Sequence, residues 1–486
     1  MYADETVLDI TIINIALPSA QHALHFSNVD RQWVITAYAL TFGSFLLFGG
    51  RLGDLFGRKV TFITGLIGFA AASAVGGASV NFTMLVTARA CQGAFGALLA
   101  PAALSLLTTT FSDPKERGKA FGVYGAIAGG GGLVGLLLGG LLTEYLDWRW
   151  CLYVNLVFAG VAVVGAFLFL SSERSAHTAH LDIFGVLTVS GSMFCLVYGF
   201  SNAASHSWHA RSTWGFLAVG VVLLVVFAWW QTRAAHPLLP PRVVLDRNRG
   251  GAYLTVLIAG AGMFGIFLFL TYYLQTILGY SPVKTGVAFL PTIVMVMLFA
   301  QISNILLLPR IGPKPLITVG MLLAAAGMMW LTRIGVHSSY ASVIVGPMLV
   351  FGAGVGLSLP PAMNTGTFGV APNDAGVASA TLNVGQQLGG SIGTALLNTI
   401  ATSATASYLA SLHLSPAALA SAGGRLALAA AAVHGFTTAF WWTAGLFVAG
   451  AIICGSLLRR GPLYRQAKAQ PGAPAQQPQA GPSVPA

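Results

Sequence analysis

Long apolar runs recur from one end of this chain to the other, and they leave it few ways to fold. A bilayer-crossing helix needs about 20 mostly apolar residues. Fourteen stretches qualify: residues 1–22, 33–50, 60–78, 82–109, 120–142, 151–170, 183–201, 214–231, 252–277, 283–308, 316–331, 341–367, 378–403 and 436–458. The 486 residues are 56% hydrophobic and only 8% charged, more apolar surface than a soluble domain can hide. The expected fold is therefore an all-α integral membrane protein.

The spans group as six, two and six. This divides the chain into a six-helix bundle at 1–171, two additional membrane helices at 172–235, a second six-helix bundle at 236–458 and a tail at 459–486. The tail is basic, then rich in Pro, Gln, Ala and Gly, and such a composition cannot bury a core. The first span starts almost at Met1 with Asp4 and Glu5 in its first turn, so its beginning is expected to be truncated. No basic leader or small-residue cleavage site marks a signal peptide. The stretch 404–435 reads as the longest loop on its side, with LALAAAAVHG as a short surface helix.

Charge tests the span count, because only the correct set of spans gathers Lys and Arg on one side. Seventeen of the 24 basic residues, from Arg51, Arg58 and Lys59 to Arg465 and Lys468, fall on one side and six on the other. Arg89 alone lies inside a span. The richer side is expected to be cytoplasmic, with both termini on it and the protein in the inner (plasma) membrane. The net charge of +11 is thus a topology signal and not a nucleic-acid footprint.

Arg89 sits in TARACQGAFGALLAPAA, residues 87–103. An unpaired guanidinium in hydrocarbon costs at least ~2.5–3.5 kcal/mol, so it calls for a wet cavity or a buried carboxylate. Asp9, in VLDITIINIALP, is the acid set comparably deep. One acid and one base in otherwise apolar spans suggest a proton-handling pair, and hence a proton-driven pump.

A second motif, GRLGDLFGRK at residues 50–59, joins the second and third spans. Gly50 and Gly53 remove side chains where helices would meet, Asp54 can cap or pair with a neighbouring helix end, and Arg58 and Lys59, preceded by Gly57, hold the turn on the basic side. Such a latch can hold one of two bundle arrangements closed. This decapeptide resembles the signature of the major facilitator superfamily. LDITIINIALP, with Asp9 at its acidic position, resembles the first-span motif of the superfamily's fourteen-span drug:proton antiporter branch, and Arg89, Gln92 and Gly93 match the R-x-x-Q-G pattern associated there with proton coupling. WRWCLYVN at 148–155 and YYLQTILGYSPVKTGVAFLP at 272–291 are similar to the same branch.

Residues 125–140, GAIAGGGGLVGLLLGG, resemble the fifth-span antiporter motif, with Leu136 where the family has Pro. Gly129, Gly131, Gly135, Gly139 and Gly140 offer close-packing faces, and the missing Pro predicts a straighter helix. A further seam, Gly385, Gly389 and Gly393, is read as packing. Pro101, Pro291, Pro360 and Pro361 interrupt spans. The turn 309–315, with Arg310, Gly312 and Lys314, sits where the latch would recur in a repeated half.

The resemblance implies a drug:proton antiporter of lipophilic neutral or monocationic compounds such as antibiotics. The alternative is an exporter of an endogenous metabolite, siderophore or lipid on the same scaffold. The last six spans carry no Asp or Glu, which argues against dications. Asn14, Tyr272, Gln275 and Gln386 are candidates for the substrate cavity. No Walker-type motif or nucleophile elbow occurs, so neither ATP-driven transport nor catalysis is expected, and the energy source would be the proton gradient with no cofactor. Three H-x-x-H pairs in loops lack further ligands and predict no metal site. The four Cys, without C-x-x-C spacing, read as small packing residues, and a monomer is expected.

Overall fold

The computed structural model describes residues 12–13, 16–17, 19–26, 28–111, 113–170, 182–205, 208, 210–371, 374–413 and 421–463. Among these the chain is helical, with no strand. Residues 12–13, 16–17 and 19–24 are helical and are called α1. The first group continues with α2 (Asn28–Phe56), α3 (Arg58–Gly77), α4 (Phe82–Thr110), α5 (Pro114–Tyr145) and α6 (Trp150–Phe169). Next come α7 (Ile183–Ser205) and α8 (Arg211–Gln231).

A short α9 (Pro241–Val244) leads into α10 (Arg247–Tyr272), whose end, Tyr273–Ile277, is π-helical. The following span is built in pieces: α11 (Pro282–Ala288), α12 (Leu290–Gln301), a π-helical Ile302–Leu307 and α13 (Leu308–Ile311). The chain then forms α14 (Pro313–Leu331), a π-helical Tyr340–Ile344 leading into α15 (Val345–Thr367), α16 (Ala375–Ser411) and α17 (Ala422–Leu457). Eleven of the described helices are long and apolar enough to cross a membrane, and α5 and α16 are of spanning length beside them.

One core gathers α10, α14, α15, α16 and α17 around Phe351, Phe440 and Phe447. Another joins α2, α3 and α4 around Tyr38, Phe69 and Leu99. A smaller cluster packs Ile12, Ile13, Ala16 and Leu17 of α1 against Val34, Leu85 and Leu152. The two large groups meet along two seams, α2 with α16 and α5 with α12. The α7–α8 pair packs along α2 and α16. It is tied by Ser192 Oγ donating to Gly220 O at 2.7 Å, and by Asp182, which accepts from Trp230 Nε1 and Gln231 Nε2 at 2.9 Å each. Outward faces of α6 and α8 expose Val157, Val161, Val164, Val221, Val222 and Val225, an apolar surface suited to lipid.

Three expectations change. LALAAAAVHG is not a separate surface helix: it forms the first turns of α17, because nothing in that Ala-rich run breaks a helix before the final span. Cys151 and Cys454 are buried as packing residues, but Cys91 is exposed on α4. Pro291 falls at the start of α12, where a helix tolerates it, whereas Pro101, Pro360 and Pro361 lie inside helices. The seam glycines do serve packing: a Cβ on Gly393 would stand 2.6 Å from Ala261 Cα, and one on Gly389 would strike Leu257 O. Gly389→Val should therefore cost about 3 kcal/mol and lower the thermal midpoint in detergent. Gly160→Ala, with open space around it, should leave stability within about 0.5 kcal/mol.

Candidate functional site

Asn81 starts α4 by accepting the Met84 N–H at 2.8 Å. Two turns on, Arg89 points into the bundle and is 1% exposed. Its Nε donates to Val34 O of α2 at 3.2 Å, and Nη1 donates to Gln92 Oε1 at 2.8 Å. Spacing explains the second bond, since residues three apart share a helix face. Gln92 Nε2 donates onward to Ser73 Oγ of α3 at 2.7 Å, and Asn155 Nδ2 of α6 reaches the same oxygen at 3.5 Å. Ser73 Oγ donates in turn to Phe69 O at 2.8 Å. The guanidinium lies over the Tyr38 ring, 4.5 Å from its centroid.

Gly93 has a geometric task here. A Cβ at this position would strike Thr41 Oγ1 and Tyr38 O, so glycine lets α2 come close enough for the Val34 carbonyl to reach Arg89. Thr41 Oγ1 closes the approach by donating to Ala90 O at 2.7 Å. The R-x-x-Q-G spacing thus supplies a charge, its acceptor one turn away and the room for a second helix. Ser73, Asn155 and Tyr38 were not singled out from sequence. A polar side chain inside an apolar span was the available signal for the first two.

Asp9 and Asn14 lie outside the described residues. The described part of α1 packs on Val34 and Leu85, beside the α4 turn that holds Arg89. Among the described residues no group of His, Cys, Asp and Glu could hold a metal ion.

The second site is at the basic end of the bundle. Asp54 Oδ1 accepts the backbone N–H of Gly376 at 3.0 Å, at the N-terminus of α16, where a helix dipole favours an anion. Arg58 Nη2 stands 3.9 Å from the same oxygen. Gly50 makes the approach feasible: a Cβ there would sit 2.6 Å from Gly376 O. Gly53 does not share that role, because a Cβ on it meets nothing within 4 Å, which corrects the expectation that both glycines face a helix contact. Gly57 takes φ +94° between α2 and α3. Lys59 Nζ donates to Phe167 O and Leu170 O, binding the turn to the end of α6.

Gly131 and Gly135 are buried in an unbroken α5. A Cβ on Gly139 would lie 3.1 Å from Ile12 Cα, and one on Gly140 would lie 3.3 Å from Val283 Cγ2. Gln386 is half-buried within α16, its carbonyl 2.7 Å from where a Gly260 Cβ would stand. Tyr272 and Gln275 are exposed at the end of α10, with Tyr272 about 18 Å along the axis from Gly260. The three described cavity candidates therefore do not form one cluster.

Among the described residues, eleven helices are long and apolar enough to cross a membrane, as in an integral membrane protein. The chain belongs to the Major Facilitator Superfamily, whose family model matches residues 6–394, and so to transporters rather than enzymes. It is 48% identical to the puromycin resistance protein pur8 of Streptomyces alboniger, over 93% of this chain and 88% of that one. It is 36% identical to the cephamycin export protein CmcT of Amycolatopsis lactamdurans, over 85% of each, and 30% identical to the multidrug transporter protein MdtP of Bacillus subtilis, over 81% and 72%. Among solved structures, the proton:xylose symporter XylE aligns with a TM-score of 0.61 at 15% identity over 95% of each chain, and the human organic anion transporter MFSD10 with 0.59 at 14% over 93% and 97%. These structures share the fold.

Two outcomes follow from the geometry. Gln92→Leu strips Arg89 of a side-chain acceptor and should destabilise the protein by about 2–3 kcal/mol in a denaturation assay. Gly50→Ala should weaken the contact between α2 and α16, read as faster proteolysis at the basic end, while Gly53→Ala should behave as wild type.

Proposed function

We propose that this chain exports lipophilic neutral or monocationic small molecules, antibiotics among them, in exchange for protons. One observation carries the reading: relatives that it matches over most of their length are named for resistance to or export of puromycin, cephamycin and tetracenomycin C. The charge distribution supports a plasma-membrane location with both termini cytoplasmic. The basic end is then the cytoplasmic end, and Asp54 and Gly376 hold it closed. No nucleotide is required, and a monomer suffices.

Asp9 takes up a proton from outside and releases it inside, with Arg89 as the group that tunes it. A nearby guanidinium favours the ionised carboxyl and desolvation favours the protonated one, so a motion that alters either converts conformation into proton affinity. The fixed geometry of Arg89, bound by Gln92 and Val34, supports this role because a tethered charge changes its influence only when the helices move. Substrate and proton compete for one cavity, with Gln386, half-buried in α16, as a candidate polar contact there and Tyr272 and Gln275, exposed at the end of α10, apart from it. Exchange of one proton for one neutral molecule moves charge and gains ~2.3 kcal/mol per 100 mV, whereas exchange for a monovalent cation is electroneutral.

The test is efflux of a panel of lipophilic compounds, puromycin included, from proteoliposomes under an imposed pH gradient. Wild type should accelerate efflux and Asp9→Asn should abolish the gradient-driven part while remaining folded. Undiminished gradient-driven efflux by Asp9→Asn would refute the assignment of the acid, and no efflux of any compound by wild type would refute export.

A further inference from the structure

We propose that Arg117 is a second clasp between the two helix groups, the pseudo-twofold mate of the Asp54 latch with its polarity reversed, and that the two clasps together set how often the basic end opens. Two glycines supply the register. Gly57, at φ +94°, precedes α3, and Gly312, at φ +81°, precedes α14. Counting back equally from each, Gly50 corresponds to Ile305 and Asp54 to Pro309.

The packing obeys this register. A Cβ on Gly50 would stand 2.6 Å from Gly376 O, and a Cβ on Gly118 would stand 2.6 Å from Asn304 O and 3.8 Å from Ile305 Cα. The start of α5 therefore meets the end of the α12 span as the start of α16 meets the end of α2. At one seam the carboxylate of Asp54 accepts from the helix N-terminus. At the other, Pro309 occupies the corresponding position and has no acceptor in its side chain.

Arg117, next to Gly118, supplies the missing charge from the opposite partner. Its Nε donates to Asn364 Oδ1 at 2.9 Å, and its Nη2 to Thr367 Oγ1 at 2.7 Å and to Asn364 O at 3.3 Å. The rings of Phe121 and Phe368 flank it at 5.5 and 5.6 Å. Arg117 is 9% exposed. Asn364 Nδ2 extends the cluster to Asn304 Oδ1 at 3.5 Å. Every one of these acceptors belongs to the second group while the guanidinium belongs to the first, so separating α5 from α15 breaks all of them at once. Opening exchanges these charge-assisted bonds for bonds to water, a net loss that makes the separation unfavourable.

The clasp rests on the reading of the chain as a transporter whose halves part at this end, and its test needs no substrate. Nitroxide labels at Thr110 and Ile311, both exposed and one in each group, report the opening in full-length protein in nanodiscs with the native cysteines replaced. Arg117→Ala should raise the long-distance fraction roughly tenfold, Arg117→Lys, which keeps the charge but loses the fork, by less, and Thr367→Val by a few-fold in the same direction. A wild-type distance distribution in folded Arg117→Ala overturns the proposal; should that variant not fold, the same result in Thr367→Val does so. A shifted distribution in a protein that exports no compound sustains the clasp and sinks the export reading, so the two fail separately.

Discussion

A guanidinium held inside an apolar bundle is the constraint on which the first helix group depends. Arg89 cannot be left to hydrocarbon, and the fold answers with donors and acceptors drawn from four helices: Val34 O from α2, Ser73 from α3, Gln92 from α4 itself and Asn155 from α6. The Val34 carbonyl and the Gln92 amide oxygen fix the direction in which the guanidinium points. Because its partners lie on α2 and α4 and the network runs on to α3 and α6, a shift of those helices against one another would re-aim the guanidinium.

The basic end poses the complementary problem. Two helix groups adhere there through close backbone contacts and a few polar bonds. Glycines bring backbones into contact at Gly50 with Gly376 and at Gly118 with Asn304, which gives close packing over a small area without interlocking side chains. Single charges then add direction: Asp54 on the start of α16, Arg117 in the amide and hydroxyl acceptors of α15. Contacts of this type are few and localised, so they break together. The pseudo-symmetry between Gly57 and Gly312 explains why there are two such seams, and the exchange of Asp54 for Pro309 explains why they differ.

Much of this was legible from residues alone. Span periodicity and the sidedness of Lys and Arg foretold an all-helical membrane fold, and the spacing of Arg89, Gln92 and Gly93 matches the geometry found. The close approach at Gly50 and the helix-end acceptor role of Asp54 were legible because both are local, whereas the positive φ of Gly57 was not foreseen. Gly53 was misread since spacing along one helix does not say which face a neighbour covers. Ser73, Asn155, Asn364 and Thr367 escaped notice for a related reason, as their importance arises only when distant spans are brought side by side. The Ala-rich start of α17 was misassigned because a hydropathy window ends a span where polarity rises, whereas helix propensity carries the helix on.

The central claim is that a tethered Arg89 governs the protonation of Asp9, so that substrate and proton exclude one another. The most direct measurement is proton release on mixing solubilised protein with a lipophilic cationic substrate in weakly buffered detergent, where no gradient acts. The account predicts release of about one proton per bound substrate from wild type, and none from Asp9→Asn. Binding without proton release in wild type, or undiminished release from Asp9→Asn, would contradict it.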